Sequence, residues 1–593
     1  MNYNLNKLAE QTEKKSTVAA LRSLLQLIAH ERPTLILALF FILVNTGLNL
    51  CGPLLIGHTV DTYVVGKHYD GVLLFSGILL SMYVVALFTG YNQTKLMGGV
   101  GQRLLFTLRN AIFNKLQLLP VAFFNENKAG DLISRVNNDT DKLNTFFSQS
   151  LMQFISSIAV MVGSGIFLLS INPKLGVATL APGLLILIFT QIVSPWVKKK
   201  NAVNMASTGA MSAEIQESLS NFKVIVAFDR RDYFRKRFGE ANQKNYKTAI
   251  TAGLANNVFQ PVYSLFSSLA QLAVLMAGIY LISQGQLTIG KLMTYLMYAV
   301  NFYNPLRQLA ALWASFQTAM AGWDRVAVIL GLESDLKTTE STPISTENSS
   351  KTTNNALVEF KNVHFSYQNS KEILHNVSIE LERGKTYAFV GPTGGGKTTT
   401  ASLIARLYDA TSGTVLLDGK DIREYSAEER TQKIGFILQE PFLFTGTVKD
   451  NILYGNERYL DYTNQQLEKV IHDANLESLL NIFESGLDTA VTSGGDGISL
   501  GQKQLIAFMR AVLRDPEVLI LDEATANIDT VTEQLLDDIL DKLPKTTTRI
   551  IIAHRLNTIE NADVIYFVNA GEVIRAGSFK DAVDKLLKGK RVS

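Results

Sequence analysis

Apolar residues dominate the first half of the chain in six long stretches, roughly 33–57, 71–97, 147–171, 174–197, 252–283 and 288–318. Each approaches or exceeds the about 20 apolar residues needed to cross a bilayer as a helix. The second, fifth and sixth also carry Asn, Gln, Gly and Ser. Buried helices of a large soluble domain are the alternative, which six such runs in one half of a chain disfavour. Ahead of them TVAALRSLLQLIAHE (17–31) has apolar positions at helical spacing opposite a polar face, the pattern of a helix lying on a membrane surface or of a soluble amphipathic helix. After the last span the pattern collapses. DLKTTESTPISTENSSKTTNNA (335–356) is almost free of apolar residues and reads as a flexible linker. From 357 onward short β-branched runs alternate with helical patterns, which predicts an α/β domain.

The expected division is therefore a cytoplasmic N-terminus and surface helix (1–32), a six-span all-α membrane domain (33–325), a linker (326–356) and an α/β domain (357–593). The loops between spans two and three and between four and five are about 50 residues each. The second of them is rich in Lys and Arg, from Lys198 to Lys247, whereas the short connections are poor in both. Basic excess marks the cytoplasmic side, so both termini and both long loops are placed there. Both loops also read as helix, extending spans two to five beyond the bilayer. The N-terminus, MNYNLNKLAEQTEKKSTV, shows no apolar core followed by a cleavage site, so no cleaved signal is expected.

Composition sharpens this only in places. The net charge of +3 makes no electrostatic case for nucleic acid. The one cysteine, Cys51, excludes an intrachain disulfide and, lying in an apolar run, is expected to be a buried, inert thiol. Spans three to six have no Asp or Glu at their centres, which argues against proton-coupled transport. Neutral polar residues are present along the spans instead: Asn45, Asn49, Gln153, Gln191, Asn256, Asn257, Gln260, Gln271, Asn301 and Gln308. With Phe154, Phe259, Tyr263, Phe266, Tyr298, Phe302 and Trp313 they suit either a cavity for amphipathic ligands or bonding between helices.

The candidate chemistry sits in the second half. GPTGGGKTT (391–399) fits G-x-x-x-x-G-K-[ST], after the strand-like TYAFV and before a helical pattern. Backbone N–H groups of Gly391, Gly394, Gly395 and Gly396 and the following helix start suit a phosphate. Lys397 is placed to reach the β- and γ-phosphates, and the Thr398 hydroxyl to ligate Mg²⁺. A glycine-rich turn is the alternative, which the strand–loop–helix context disfavours. VLILDEAT (518–525) ends a strand in two acids, Asp522 to hold Mg²⁺ and Glu523 to polarise a water. In ISLGQKQLIAFMRAVL (498–513), Ser499, Gly501 and Gln502 open a helix, another anion-ready start. Gln439 in ILQEPFLF and His554 in RIIIAHRL each follow a strand pattern.

In this order and spacing these motifs resemble the ATP-binding cassette family, with Asp529 in the place of its D-loop aspartate and Tyr367 in that of its adenine-stacking aromatic residue. The first half resembles the six-span domain of exporter half-transporters, through LPVAFFNENKAGDLISRVNNDTDKL (119–143) and EIQESLSNFKVIVAFDRRDYFRKRF (214–238). The resemblance implies ATP and Mg²⁺. It places Glu523, His554 and Gln439 in catalysis and Thr398, Gln439 and Asp522 around the metal. It puts Tyr367, the four glycines, Lys397, Thr398 and Thr399 on the nucleotide. Ser499, Gly501, Gln502 and Asp529 would reach the ATP of a second half-transporter, and loops near Phe124 and Phe228 would couple cassette to membrane. The expected activity is export of hydrophobic or amphipathic compounds, multidrug efflux, from a bacterial cytoplasm across the plasma membrane. A lipid flippase, a peptide exporter and an ATP-gated channel are the alternatives.

Departures from the family pattern fall on the surface that would face a partner. Ile498 and Leu500 replace the signature's Leu and a Gly, Ser493 stands near a common Glu, and Ala526 replaces a Ser. They favour a heterodimer with unequal ATP sites, although such changes also occur in homodimers.

Overall fold

The structure is a computed structural model describing residues 3–5, 8, 29–333, 356–367, 371–495, 497–522, 530–552, 561–577 and 581. Most of the surface helix expected over 17–31 and all of 335–355 lie outside the described residues. The chain forms two compact units. One comprises Leu5–Gln117 and Ala129–Gly331; the other comprises Met1–Asn4, Leu118–Lys128 and Leu332–Ser593.

Among the described residues the first unit is built from helices. Its principal helices are α1 (Arg32–Thr59), α2 (Tyr69–Gln117), α3 (Leu151–Ile171), α4 (Pro173–Ser220), α5 (Arg231–Asn257), α6 (Phe259–Ser283) and α7 (Ile289–Gly331). Among the described residues five helical stretches are long and apolar enough to cross a membrane: Arg32–Val64, Tyr69–Gln117, Ala129–Ile171, Pro173–Ser220 and Arg231–Ser283. The sixth expected span lies in α7, which is 43 residues long and outside that set. At 49 residues α2 measures about 70 Å, over twice a hydrocarbon core of about 30 Å, so it continues well beyond one.

Tight turns and polar staples hold these helices together. Asn172 caps α4, its carboxamide oxygen accepting from the N–H groups of Lys174 and Leu175 at 3.1 and 3.2 Å, with Pro173 in the first turn. Three buried tyrosines of α7 donate to backbone carbonyls of other helices: Tyr295 to Leu168, Tyr298 to Leu50 at 2.5 Å and Tyr303 to Thr179 at 2.6 Å. Lipid offers no hydrogen bonds, so each phenol must find a partner inside the bundle. At the other end of the α1–α7 contact, Asp61 accepts from the Thr288 hydroxyl at 2.5 Å and the Gly290 N–H at 2.7 Å. A Cβ on Gly290 would lie 2.0 Å from the Gly57 carbonyl oxygen, so glycine is what allows the backbones this close.

Cys51 corrects the sequence reading: it is exposed on α1. An apolar run in a membrane helix has no need of a protein interior, since lipid satisfies its outer face equally well.

The second unit contains β1 (Ala356–Phe365), β2 (Leu374–Glu382), β3 (Thr386–Val390), β4 (Ser412–Leu417), β5 (Lys420–Asp421), β6 (Ile434–Ile437), β7 (Gly446–Thr447), β8 (Ala490–Val491), β9 (Val518–Asp522), β10 (Thr548–Ile552), β11 (Val564–Asn569) and β12 (Glu572–Arg575). Its main sheet has the order β12-β11-β3-β10-β9-β6, parallel except at β12, and an antiparallel sheet runs β2-β1-β4-β5. All five residues of β9 are buried, as a parallel strand covered on both faces requires. The helices that matter for the site are α8 (Lys397–Ile404), α9 (Leu500–Val512) and α10 (Thr530–Lys542).

Leu118–Lys128 belongs to this unit, with a short helix at Val121–Glu126. Asn125 Nδ2 donates to the Tyr408 hydroxyl at 2.6 Å. The buried Tyr3 ring meets Phe123 edge-on at 6.3 Å, Asn127 donates to the Tyr3 carbonyl at 2.8 Å, and the Tyr3 hydroxyl reaches the Glu333 carbonyl at 3.3 Å. The extreme N-terminus thus clasps this segment, a role no motif in the sequence announces.

Candidate active site

Parallel strands deliver their C-terminal ends to one edge of the sheet, and in such folds that edge is where ligands bind. β3 leads into the glycine-rich loop and α8. Gly394 and Gly396 take φ of 81° and 114°, values a side chain rarely tolerates. A Cβ on Gly391 would lie 1.9 Å from the Val568 carbonyl oxygen, so the loop is pinned against the end of β11. Gly571 N–H adds a bond to the Gly395 carbonyl at 3.2 Å. Neither Val568 nor Gly571 carries a motif; only the fold brings them to the loop.

Lys397 is 5 % exposed, and its ammonium donates to the Gly391 and Pro392 carbonyls, both at 3.0 Å. The Thr398 hydroxyl donates to the carboxylate of Asp522, 3.2 Å away and 3 % exposed. The loop and the acidic strand end, 124 residues apart in sequence, therefore meet in one place. In the parallel ladder Asp522 pairs with Ile552 and Leu521 with Ile437. Gln439 is exposed two residues beyond β6. Glu523, His554 and Asp529 lie outside the described residues; the strands leading to Glu523 and His554 end side by side.

Tyr367 is half-buried, its hydroxyl 3.2 Å from the Thr399 hydroxyl. Its ring packs edge-on against Phe365 at 4.8 Å and Tyr408 at 5.1 Å. Burial pushes the Tyr408 phenol above its usual range, the Tyr367 phenol adding to the rise and the Asn125 bond opposing it. Tyr408 therefore joins Tyr367 to the Leu118–Lys128 segment as a neutral phenol. Its sequence context, LIARLYDA, held no signal for this.

Ser499, Gly501 and Gln502 form the start of α9. The Ser499 hydroxyl accepts from the Gln502 N–H at 3.2 Å, and the Gln502 side-chain oxygen accepts from the Ser499 N–H at 3.0 Å, a capping box. Gly501 is buried, while Ser499 and Leu500 are exposed. Lys503 Nζ reaches the Gly494 carbonyl at 2.5 Å and ties the preceding loop to the same helix.

Among the neutral polar residues of the membrane unit two groups stand out. Asn49 bonds Asn45 at 2.6 Å, Asn45 reaches the Ala86 carbonyl, Asn256 and Asn201 exchange bonds at 2.8 and 3.1 Å, and Gln271 bonds Ser267. These serve packing, as does Tyr263 through Thr190 at 2.6 Å. Gln153, Asn301 and Gln308 instead line a recess of about 310 Å³ shared with Gln93, Ser156, Ser157, Val160, Asn304 and Pro305.

Comparison with known proteins agrees with this geometry. The family profile of the ABC transporter transmembrane region matches residues 35–306, and that of the ABC transporter matches 374–526. An uncharacterised ABC transporter ATP-binding protein, YfiC, of Bacillus subtilis is 33 % identical over 97 % of this chain and 94 % of its own. The chain belongs to the ABC transporter family. Other ABC transporter relatives include a fatty acid ABC transporter ATP-binding/permease protein of Mycobacterium bovis, 33 % identical over 84 % of this chain and 78 % of its own. A multidrug resistance ABC transporter ATP-binding and permease protein of Lactococcus lactis is 29 % identical over 92 % and 91 %. This ABC transporter is accordingly a multi-pass membrane protein that hydrolyses ATP, with its helical membrane domain and α/β cassette fused in one chain.

Proposed function

We propose that the chain is half of an exporter that moves hydrophobic or amphipathic compounds, drugs among them, out of a bacterial cell. One observation carries the reading: a single chain bears both the phosphate loop that meets Asp522 and a bundle of membrane-length apolar helices. Relatives named for multidrug resistance and for fatty acids support such cargo. The membrane domain has six spans in this reading, α7 being the sixth, and both termini and the cassette are cytoplasmic.

ATP binds with its phosphates in the 391–399 loop. Gly391, Gly394, Gly395 and Gly396 present N–H groups, Lys397 neutralises the β- and γ-phosphates, and Thr399 opens the helix beneath them. The Thr398 hydroxyl and Asp522 carboxylate are hard oxygen donors held 3.2 Å apart, a set that suits Mg²⁺, with Gln439 completing it from the next strand. The ion would supply charge neutralisation on the phosphates. Glu523 polarises the attacking water and His554 steadies the γ-phosphate.

A second half-transporter supplies the other wall of each ATP site, through Ser499, Gly501, Gln502 and Asp529. Leu500, Ile498, Ser493 and Ala526 all bear on the partner's nucleotide, so a different chain with its own unequal site fits best. Closure of the cassettes on ATP turns the cavity outward, and hydrolysis resets it. The loop near Phe124 belongs to this chain's own cassette unit, and the exposed Phe228 suits docking on the partner's. An apolar recess of about 220 Å³ lined by Phe442, Phe444 and Tyr454 would accept such an aromatic side chain. A homodimeric lipid exporter is the second reading, favoured by the fatty acid relative.

The test is the mass and ATPase activity of the purified chain in lipid. An inactive or monomeric chain rescued by a co-expressed sister half-transporter supports the heterodimer; a stable, active homodimer supports the second reading. Tyr367→Ala is expected to weaken ATP binding by the about 1–3 kcal/mol of an aromatic–base stack, read by equilibrium binding. Unaltered affinity would confine Tyr367 to packing against Phe365 and Tyr408.

A further inference from the structure

We propose that the amide-lined recess between α2, α3 and α7, together with Arg307 one turn from Asn304 on α7, seats the oxyanion headgroup of an amphiphile, a carboxylate or a phosphate. The inference rests on the transport reading and specifies its cargo. Five amides face the recess: Gln93, Gln153, Asn301, Asn304 and Gln308. Each can donate two hydrogen bonds and none carries charge. Arg307 precedes Gln308 and lies three residues after Asn304 on the same helix, so its base neighbours that of Asn304 on the helix surface. Its side chain is long enough to bring the guanidinium over the recess.

Arg307 is exposed, and no hydrogen bond or ion pair holds it among the described residues. Nor do its surroundings offer a counter-ion by sequence. α7 has no Asp or Glu before Asp324, α2 has none after Asp70, and α3 has none at all. Eighteen residues, about 27 Å, into α7 a permanently charged group stands near the far edge of a hydrocarbon core, where it reaches the headgroups, pairs or marks a ligand path. With no protein carboxylate at hand, the partner that fits is on the cargo. The planar guanidinium binds carboxylate and phosphate through two parallel bonds, and the amides fill the remaining oxygen lone pairs. A cationic drug finds no acid here, and an uncharged one leaves the guanidinium unmatched. Val160 in the same wall meets the start of an alkyl chain.

The experiment uses the full chain, with any partner that co-purifies, in phosphatidylcholine nanodiscs. ATP turnover is followed with oleate, oleyl phosphate and methyl oleate, three probes that share one tail. Responses are taken relative to each variant's own unstimulated rate. One or both acids should stimulate and the ester should not; the better acid identifies carboxylate or phosphate. Arg307→Gln should raise the half-maximal concentration of the acid by about tenfold or more, with Arg307→Lys in between. Asn304→Leu should weaken the same response if Arg307→Gln does not assemble. Equal responses to acid and ester, or an acid response indifferent to both substitutions, overturn the proposal. The latter includes the case in which Arg307 merely contacts membrane lipid. If the unsubstituted protein shows no turnover that Glu523→Gln removes, the transport reading fails instead.

Discussion

Glu523→Gln leaves a transporter that binds ATP and scarcely turns it over. The substitution keeps shape and removes the only group at that position able to draw a proton from water. Loss of a positioned general base costs about 10²- to 10⁴-fold, so phosphate release should fall by at least the lower figure. Binding should persist, because the phosphate loop and the buried Asp522 are separate from it. Phosphate release and equilibrium ATP binding, measured on the same preparation, separate the two. Turnover like that of the unsubstituted protein would remove Glu523 from catalysis and leave the strand end with a metal-holding role alone.

Lys397→Ala acts earlier, on binding itself. The lysine is almost wholly buried and its ammonium is held 3.0 Å from two loop carbonyls, so the charge is already concentrated where the phosphates arrive. Charge-assisted bonds of this kind are worth about 1.5–3 kcal/mol each, and losing the contacts to two phosphates should weaken ATP binding by about 100-fold or more. The Gly391 and Pro392 carbonyls also lose a donor, so a small drop in thermal stability is expected. Unchanged ATP affinity would contradict the phosphate-loop assignment outright.

The cassette was legible in the sequence because its chemistry depends on residue order within single loops. Gly391 to Thr399, Asp522 at the end of β9 and Ser499 before α9 each stand where local pattern places them. The closing contacts were not legible. Val568 against Gly391, or Asn125 with Tyr408, join residues far apart in sequence through backbone or unremarkable side chains. The membrane half hid more, because hydropathy has no phase there. Lipid and protein interior are equally apolar, so neither the exposed face of Cys51 nor the partition of the amides could be read from it. Asn45 and Asn256 bond other helices while Gln153 and Asn301 line a recess, although all four look alike in sequence.

The capping box at α9 has one more consequence, for the direction in which its bonds can run. Ser499 uses its oxygen to receive the Gln502 N–H, and Gln502 uses its carboxamide oxygen to receive the Ser499 N–H. Each oxygen keeps a second lone pair, and each side chain still has its hydrogen to give: a hydroxyl proton and an NH₂ group. The helix they start takes one acceptor site from each side chain and leaves its donors in hand. In the proposed ATP site the signature would therefore offer donors on side chains the helix already holds, with no rotamer to change.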